Sequence, residues 1–305
     1  MLNKNLRSPF FYVGDKYKLM PQLIELFPER INTYYEPFLG GGSSVLYTKA
    51  NKYILNDIDK NVIRLHEFIS SYASKSEELY QLLEKKIKQY KLSCSYLGIN
   101  VPEDLKKEYK KTYYAKYNKD SYLKLRDSFN ENNYTIELYL LLIYGFNRMI
   151  RFNSKGLFNV PVGNVDFNTN VAEALENYLK FMKNNKVEFY SSDYLNFVKE
   201  IEFQERDFIY FDPPYLISNS EYNKLWSERD DVELYKLLDK LDENNIKFGL
   251  SNIVKHKGRH NEILENWMQK YIVYDVKSNY ISRFDNTIKE DSKEVYITNY
   301  EKNRT

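Results

Sequence analysis

The sequence predicts an α/β protein with an open sheet and helices on both faces, interrupted by a long, mainly helical insertion. Three observations carry that expectation. Short apolar and aromatic runs of strand length end at the acids Asp57, Asp193 and Asp212. Three successive glycines, Gly40-Gly41-Gly42, stand between the first strand-like run and a helix. Between Lys60 and Ile150 the alternating pattern gives way to helical spacing alone. Ligands of open α/β sheets bind beyond the carboxyl ends of the strands, so the three acids mark the side where chemistry is expected.

A chain of 305 residues can bury a large core, in one large domain or two smaller ones. Lys and Arg number 45 against 43 Asp and Glu, for a net charge of +2, so any basic surface must be local. The single cysteine, Cys94, excludes an internal disulfide; in a polar stretch without a nearby histidine it reads as an incidental thiol in a reducing compartment. No apolar leader opens the chain, and the longest apolar run, Leu138 to Phe146, is too short to span a bilayer. A cytoplasmic protein without membrane contact is expected. The 30 tyrosines decide nothing by themselves, because a coding bias toward A and T gives the same count.

The N-terminal stretch has a turn at Gly14 with Lys16 at its edge, able to hold an anion or a carboxylate. A helical spacing follows at Leu19, Leu23, Ile24, Leu26 and Phe27, in which Pro21 is tolerable only in a first turn. Tyr34 to Glu36 reads as a short strand, Pro37-Phe38-Leu39 as its exit, and Ser43 as the cap of a helix through Val45, Leu46 and Tyr47. Glycines there let the backbone approach a ligand closely. Tyr53 to Asp57 reads as a second strand whose terminal acid suits ribose hydroxyls. Val45 occupies the place of the third glycine of the dinucleotide fingerprint, so a nucleoside without a pyrophosphate is the better ligand class.

Segments 60–72, 75–92, 103–131 and 135–150 read as helices. From Lys85 to Arg126 there are 12 Lys and Arg against 4 Asp and Glu, with tyrosines interleaved, a local excess of +8 that can neutralise phosphates. A solvated helical face is the plainer reading of the same charges. Residues 147–164 form a hairpin candidate turning at Ser154-Lys155-Gly156, and a two-stranded ribbon fits a major groove. Beyond it, a helix over 171–183, strands at 187–190, 208–211 and 247–251, helices over 194–199, 231–244 and 262–269, and final strands near 272–277 and 294–300 restore the α/β alternation. A mobile loop is expected over 282–293. His256 and His260 lie four apart without an accompanying acid, so no metal site is expected.

The run Phe208 to Phe211 stops at Asp212-Pro213-Pro214-Tyr215. Two prolines cannot continue a ladder; they stiffen the turn and leave carbonyl oxygens as acceptors. A carboxylate, rigid carbonyls and an aromatic face together suit a planar ring bearing an amino group.

Taken together, these motifs resemble the Dam-like, D12 class of adenine-N6 DNA methyltransferases over nearly the whole chain. The likeness rests on Phe11-Tyr12-Val13-Gly14-Asp15-Lys16, Glu36-Pro37-Phe38-Leu39-Gly40-Gly41-Gly42-Ser43, Asn56-Asp57-Ile58, Arg151 to Gly163, and Asp212-Pro213-Pro214-Tyr215. It departs at Asp15, where relatives usually carry a second glycine, and in Leu216 to Trp226. The resemblance implies a Rossmann-like methyltransferase sheet over 1–60 and 165–305, with an inserted target-recognition domain over 61–164 that carries the hairpin. It implies S-adenosyl-L-methionine as cofactor, held by Tyr12, Gly14, Lys16, Glu36, Pro37, Phe38, Gly40, Gly42, Asp57, Asp193 and Asp212. Glu36 and Lys16 would orient the methionine end, Asp57 the ribose and Asp193 the adenine. Catalysis would fall to Asp212, Pro213, Pro214 and Tyr215, acting on a flipped adenine over which Tyr215 stacks. Double-stranded DNA would be met by Arg148, Arg151, Asn153, Lys155, Asn159, Lys106, Lys107, Lys110 and Lys111. No metal is implied; a monomer is expected, with a restriction endonuclease as a genetic partner only. The alternatives are an RNA adenine or protein amide methyltransferase, and a non-enzymatic DNA-binding regulator on the same fold.

Overall fold

The computed structural model describes residues 6–218, 226–277 and 292–301. Of the loop expected over 282–293, residues 282–291 lie outside the described residues and Ser292 and Lys293 belong to a strand instead; most of the segment after Leu216 also lies outside the described residues. The chain divides into two compact units. A sheet unit takes Lys18–Leu39, Tyr47–Ile58 and the chain from Lys186; a helical unit takes the chain up to Tyr17, Gly40–Leu46 and Asp59–Asn185.

In the sheet unit the strands are β1 (Ile31–Glu36), β2 (Ala50–Asn56), β3 (Val187–Tyr190), β4 (Phe208–Phe211), β5 (Lys247–His256), β6 (Arg259–His260), β7 (Ile272–Val276) and β8 (Ser292–Thr298). Among the described residues they make one sheet in the order β3-β2-β1-β4-β5-β8-β7, with the short β6 paired to β5 off that path. Pairing is parallel from β3 through β5, and β8 runs antiparallel to both its neighbours. Side chains alternate across the sheet as the pleat requires. On one face Tyr35, Ile209, Phe211, Phe248, Leu250, Val295 and Ile297 pack beneath helices whose buried residues include Phe197, Leu234, Leu238, Leu264 and Trp267. On the other, Phe27 contacts Tyr34, Phe208, Tyr210 and Tyr296 at ring separations of 4.9 to 6.3 Å. Tyrosine therefore serves largely as core here, its hydroxyls tied off by partners such as Ser251, 2.7 Å from that of Tyr210.

The helical unit is organised around the helix at Thr135–Tyr144, in which every residue from Ile136 to Tyr144 is buried. A helix apolar all round belongs at the centre of a bundle. Its one acid, Glu137, is fully buried and satisfied by Lys86 Nζ at 2.8 Å, the Tyr90 hydroxyl at 2.7 Å and the Ser128 hydroxyl at 3.0 Å. Two expected helices are corrected. The segment 103–131 is broken into Glu103–Tyr109 and Tyr113–Asn132 because Lys110 takes φ 44° and ψ −101°, outside any helical region. The helix expected over 135–150 ends at Tyr144, where Gly145 turns to extended backbone and bridges to Val162. That bridge opens the hairpin. A Cβ on Gly163 would lie 2.5 Å from the Gly145 carbonyl oxygen, so the two backbones meet at a distance only glycine permits.

Candidate functional site

The sheet unit builds one cluster of polar groups at the carboxyl ends of its parallel strands. From β1 the chain runs to β2 and β3 on one side and later to β4 and β5 on the other, so strand order reverses between β1 and β4. Such a reversal leaves a crevice in open α/β sheets. Glu36 ends β1, is only 2% exposed and accepts the Tyr34 hydroxyl at 3.1 Å. Asp212 follows β4 directly, and the Tyr215 hydroxyl lies 3.0 Å from its Oδ1. The same hydroxyl lies 3.2 Å from Oε1 of Glu294, a residue of β8 that is 2% exposed. Tyr215 is itself buried, its ring grouped with Ile217 and Ile253. Burial, then the charge of Asp212, holds the Tyr210 phenol far above its usual range, and Glu36 and Glu294 push the same way. The charges of three carboxyl groups, from β1, β8 and the exit of β4, thus all bear on the Tyr210 phenol.

Asn56, wholly buried at the end of β2, staples the neighbouring strand exits. Its Nδ2 donates to the Pro37 carbonyl and the Ser192 carbonyl, both at 3.0 Å, and its Oδ1 accepts the Ser192 N–H at 3.0 Å. Asp57 is held next to it through its backbone, donating to the Tyr190 carbonyl and accepting from the Ser191 hydroxyl. Asp193 caps the helix Tyr194–Lys199, accepting the Leu195 N–H at 2.9 Å. Beside it Phe38, Tyr194 and Trp226 form an aromatic group with ring separations of 5.1 to 5.8 Å. The Tyr194 hydroxyl is buried without a hydrogen-bond partner among the described residues. A donor without an acceptor, walled by aromatic rings and neighboured by acids, suits a purine nucleoside: ring nitrogens for the phenol, ribose hydroxyls for Asp57, an ammonium group for Glu36. S-adenosylmethionine has all three.

In the helical unit the N-terminal turn and the glycine loop pack on each other. Gly14, Gly40 and Gly42 have φ of 84°, 48° and 70°. A Cβ on Gly41 would come within 3.0 Å of the Tyr12 Cβ, and the Ser8 N–H donates to the Ser43 hydroxyl at 3.0 Å. Ser43 is the first residue of its helix rather than the residue before it. Lys16 Nζ lies 3.5 Å from the Gly14 carbonyl. Asp15, standing where a glycine was expected, pairs with Arg7 at 3.1 Å and accepts the Tyr17 N–H at 3.1 Å, which fixes the turn from within.

The hairpin residues divide by what they already touch. Arg151 Nε donates to Asn159 Oδ1 at 2.9 Å and its Nη2 to the Asn159 carbonyl at 3.2 Å, so the two brace each other. Asn153 Oδ1 accepts the N–H groups of Lys155 and Leu157 and shapes the tip. The Arg148 guanidinium stacks on Phe11 at 3.9 Å. Lys155 is exposed at the tip, and Lys107, Lys110 and Lys111 are exposed around the break between the two helices. Lys106 pairs with Glu103 at 2.6 Å. Sequence reasoning passed over Phe146, which lies half exposed between Gly145 and the hairpin with its N–H tied to the Pro161 carbonyl at 2.8 Å. An aromatic residue beside a glycine, directly after a largely apolar helix, was the available signal. Glu294 and Asn56 were also missed as site residues; nothing local to Glu294 announces that it lies beside Asp212. Cys94 is buried, and burial pushes its thiol up to about 11. Among the described residues no group of His, Cys, Asp and Glu could hold a metal ion, and no helix is long and apolar enough to cross a membrane.

Comparison with known proteins adds a family. Residues 12–282 match the D12 class N6 adenine-specific DNA methyltransferase family. The chain is 30% identical over 98% of its length to the Type II methyltransferase M.FokI of Planomicrobium okeanokoites, and 32% identical over 98% to the modification methylase StsI of Streptococcus sanguinis. It spans 43% of the length of each of those two relatives. With the Type II methyltransferase M1.LlaDCHI of Lactococcus lactis subsp. cremoris it shares 27% identity over 97% of this chain and 96% of the relative.

Proposed function

Because this chain belongs to the D12 class of N6 adenine-specific DNA methyltransferases, we propose that it transfers a methyl group from S-adenosylmethionine to N6 of an adenine within a short sequence of double-stranded DNA. The observation that carries this is the position of Asp212: next to the strand-order reversal, on a Pro-Pro turn, with Tyr215 bonded to one of its oxygens. Its chemistry suits an exocyclic amine. An adenine N6 inside a duplex is out of reach, so the base is flipped. Asp212 and the Pro213 carbonyl then accept the two N6 hydrogens and turn the nitrogen lone pair away from the ring, while Pro214 keeps the turn rigid. When bound, S-adenosylmethionine supplies a methyl group on a sulfonium sulfur, an electrophile that needs no activation. The bound sulfonium would supply the methyl group and keep the electron pair of the broken C–S bond, and Asp212 would take the proton that N6 sheds. No covalent enzyme nucleophile is required.

Glu36 orients the methionine end, Asp57 the ribose and Asp193 the adenine of the cofactor, with Phe38 and Tyr194 against its ring; Lys16 is assigned to the methionine end on sequence grounds alone. Tyr12, Gly14, Pro37, Gly40 and Gly42 are assigned to the same cofactor on sequence grounds. Residues 61–164 are the target-recognition domain. There Lys107, Lys110, Lys111 and Lys155 meet phosphates, and Arg148, Arg151, Asn153 and Asn159 shape the hairpin that reads the groove. The exposed Phe146 provides an apolar wedge of the kind that opens a base step. The acting form is a monomer in the cytoplasm, where Cys94 stays reduced. A restriction endonuclease of matching specificity is the genetic partner this reading implies. Incubation with labelled S-adenosylmethionine and duplex DNA, RNA or protein tests it: label on adenine N6 of duplex DNA is expected, and label confined to RNA or protein, or none at all, overturns it.

A further inference from the structure

His66 is the one histidine buried in the core of the helical unit among the described residues, on the helix Lys60–Ser70. It is 1% exposed, its Nε2 lies 2.9 Å from the Gly40 carbonyl oxygen and its Nδ1 lies 2.6 Å from the Tyr178 hydroxyl. The partners fix the tautomer. A carbonyl can only accept, so Nε2 carries the hydrogen; Nδ1 of a neutral ring then offers a lone pair, and the Tyr178 hydroxyl must donate to it. Burial drives the imidazole down to about 4, so the neutral form holds at physiological pH. Phe10 closes the cage, 4.4 Å from the His66 ring and 5.6 Å from that of Tyr178.

We propose that His66 is a positioning residue that acts on cofactor binding through Gly40, the relay Tyr178 O–H to Nδ1, Nε2–H to Gly40 carbonyl holding the first glycine of the loop in its left-handed turn. Gly40 has φ 48°, and the next peptide passes so close to Tyr12 that a Cβ on Gly41 would meet it at 3.0 Å. A loop held this closely has little room for the Gly40 carbonyl to swing, and a swing would redirect the Gly41 N–H on the other side of the same peptide plane. The His66 ring holds that carbonyl with a side-chain donor that is buried and stays neutral at working pH. The inference rests on the reading that Gly40–Gly42 belongs to the S-adenosylmethionine site.

The test compares His66→Leu, His66→Gln, Tyr178→Phe and Gly40→Ala with the parent protein. Binding of S-adenosylhomocysteine is read by calorimetry, and kcat and KM for S-adenosylmethionine by labelled transfer to DNA. His66→Leu is expected to weaken binding about tenfold and raise KM to match, with kcat at saturation within about threefold. His66→Gln, whose amide can still donate to the carbonyl, is expected to recover most of the loss. Unaltered binding in His66→Leu while Gly40→Ala weakens it overturns the role of His66 and leaves the cofactor loop standing. Unaltered binding in both overturns the assignment of the loop itself. Should His66→Leu not fold, long-range 15N–1H spectra of the parent protein decide: an Nε2–H tautomer that persists in Tyr178→Phe, held by the Gly40 carbonyl, is expected, and an Nδ1–H tautomer overturns the proposal.

Discussion

Replacing Asp212 by alanine isolates chemistry from binding. The carboxylate is hydrogen-bonded to Tyr215, and that phenol has a second acceptor in Glu294 at 3.2 Å, so removing Asp212 leaves the hydroxyl partnered and its ring packed by Ile217 and Ile253. Loss of the Tyr215–Asp212 bond by itself should therefore cost about 1 kcal/mol of stability. The catalytic cost is larger. A preorganised group aimed at charge that develops in the transition state is worth about 10²- to 10³-fold in kcat, and on the proposed mechanism Asp212 also receives the departing proton. Asp212→Ala is thus expected to lower kcat by at least about 10²-fold, with affinity for S-adenosylhomocysteine within about threefold of the parent and the melting temperature almost unmoved. Single-turnover transfer of labelled methyl to duplex DNA measures the first quantity, calorimetry the second and thermal unfolding the third. A variant that keeps a third or more of the parental rate refutes the role given to Asp212; one that loses cofactor affinity in proportion shows that the acid holds cofactor rather than amine.

Other substitutions probe separate parts of the molecule. Asp57→Ala should weaken cofactor binding by about 1–2 kcal/mol, through a lost charge-assisted hydrogen bond, with kcat at saturation preserved; calorimetry checks it. Neutralising Lys107, Lys110, Lys111 and Lys155 together should flatten the slope of log K against log salt for DNA by about 3 to 4 units if all four meet phosphates, and an unchanged slope marks them as a solvated face. Phe146→Ala should reduce the fluorescence rise of 2-aminopurine placed at the target base while leaving the melting temperature in place, since the ring is half exposed. Glu137→Ala should destabilise the protein by about 3–5 kcal/mol, because it leaves the Lys86 ammonium without its buried partner, and denaturant unfolding reads that loss directly.

The sequence was most legible where local chemistry dictates local structure. Strand tips at Asp57, Asp193 and Asp212 and the turns at Gly40 and Gly42 are visible because apolar runs, acids and glycines obey short-range rules. Helix ends were less so: Lys110 carries no mark of the non-helical backbone it adopts, while Gly145 did mark the early end of the apolar helix and was read through. The residues that were missed depend on partners far along the chain. Glu294 meets Tyr215 across 79 residues, and Asn56 meets Ser192 across 136. His66 sat in plain view at a core position of its helix, beside Val62, Ile63, Leu65 and Ile69, where a titratable ring must find a partner; only the structure says that the partners are Tyr178 and Gly40.

The placing of β8 bears on the order in which the sheet is assembled. β8 lies between β5 and β7, both of which precede it in the chain, so those two cannot pair first and remain paired. The parallel half of the sheet, from β3 to β4, has its cross-strand partners before β8 is made, but Glu294 arrives with the last strand of the sequence. Closing that strand into a waiting gap fixes the loop entropy late, after the cheaper pairings have formed. If the proposed function holds, refolding would restore cofactor binding ahead of the rate of methyl transfer, and the lag between the two would report the time β8 takes to enter the sheet.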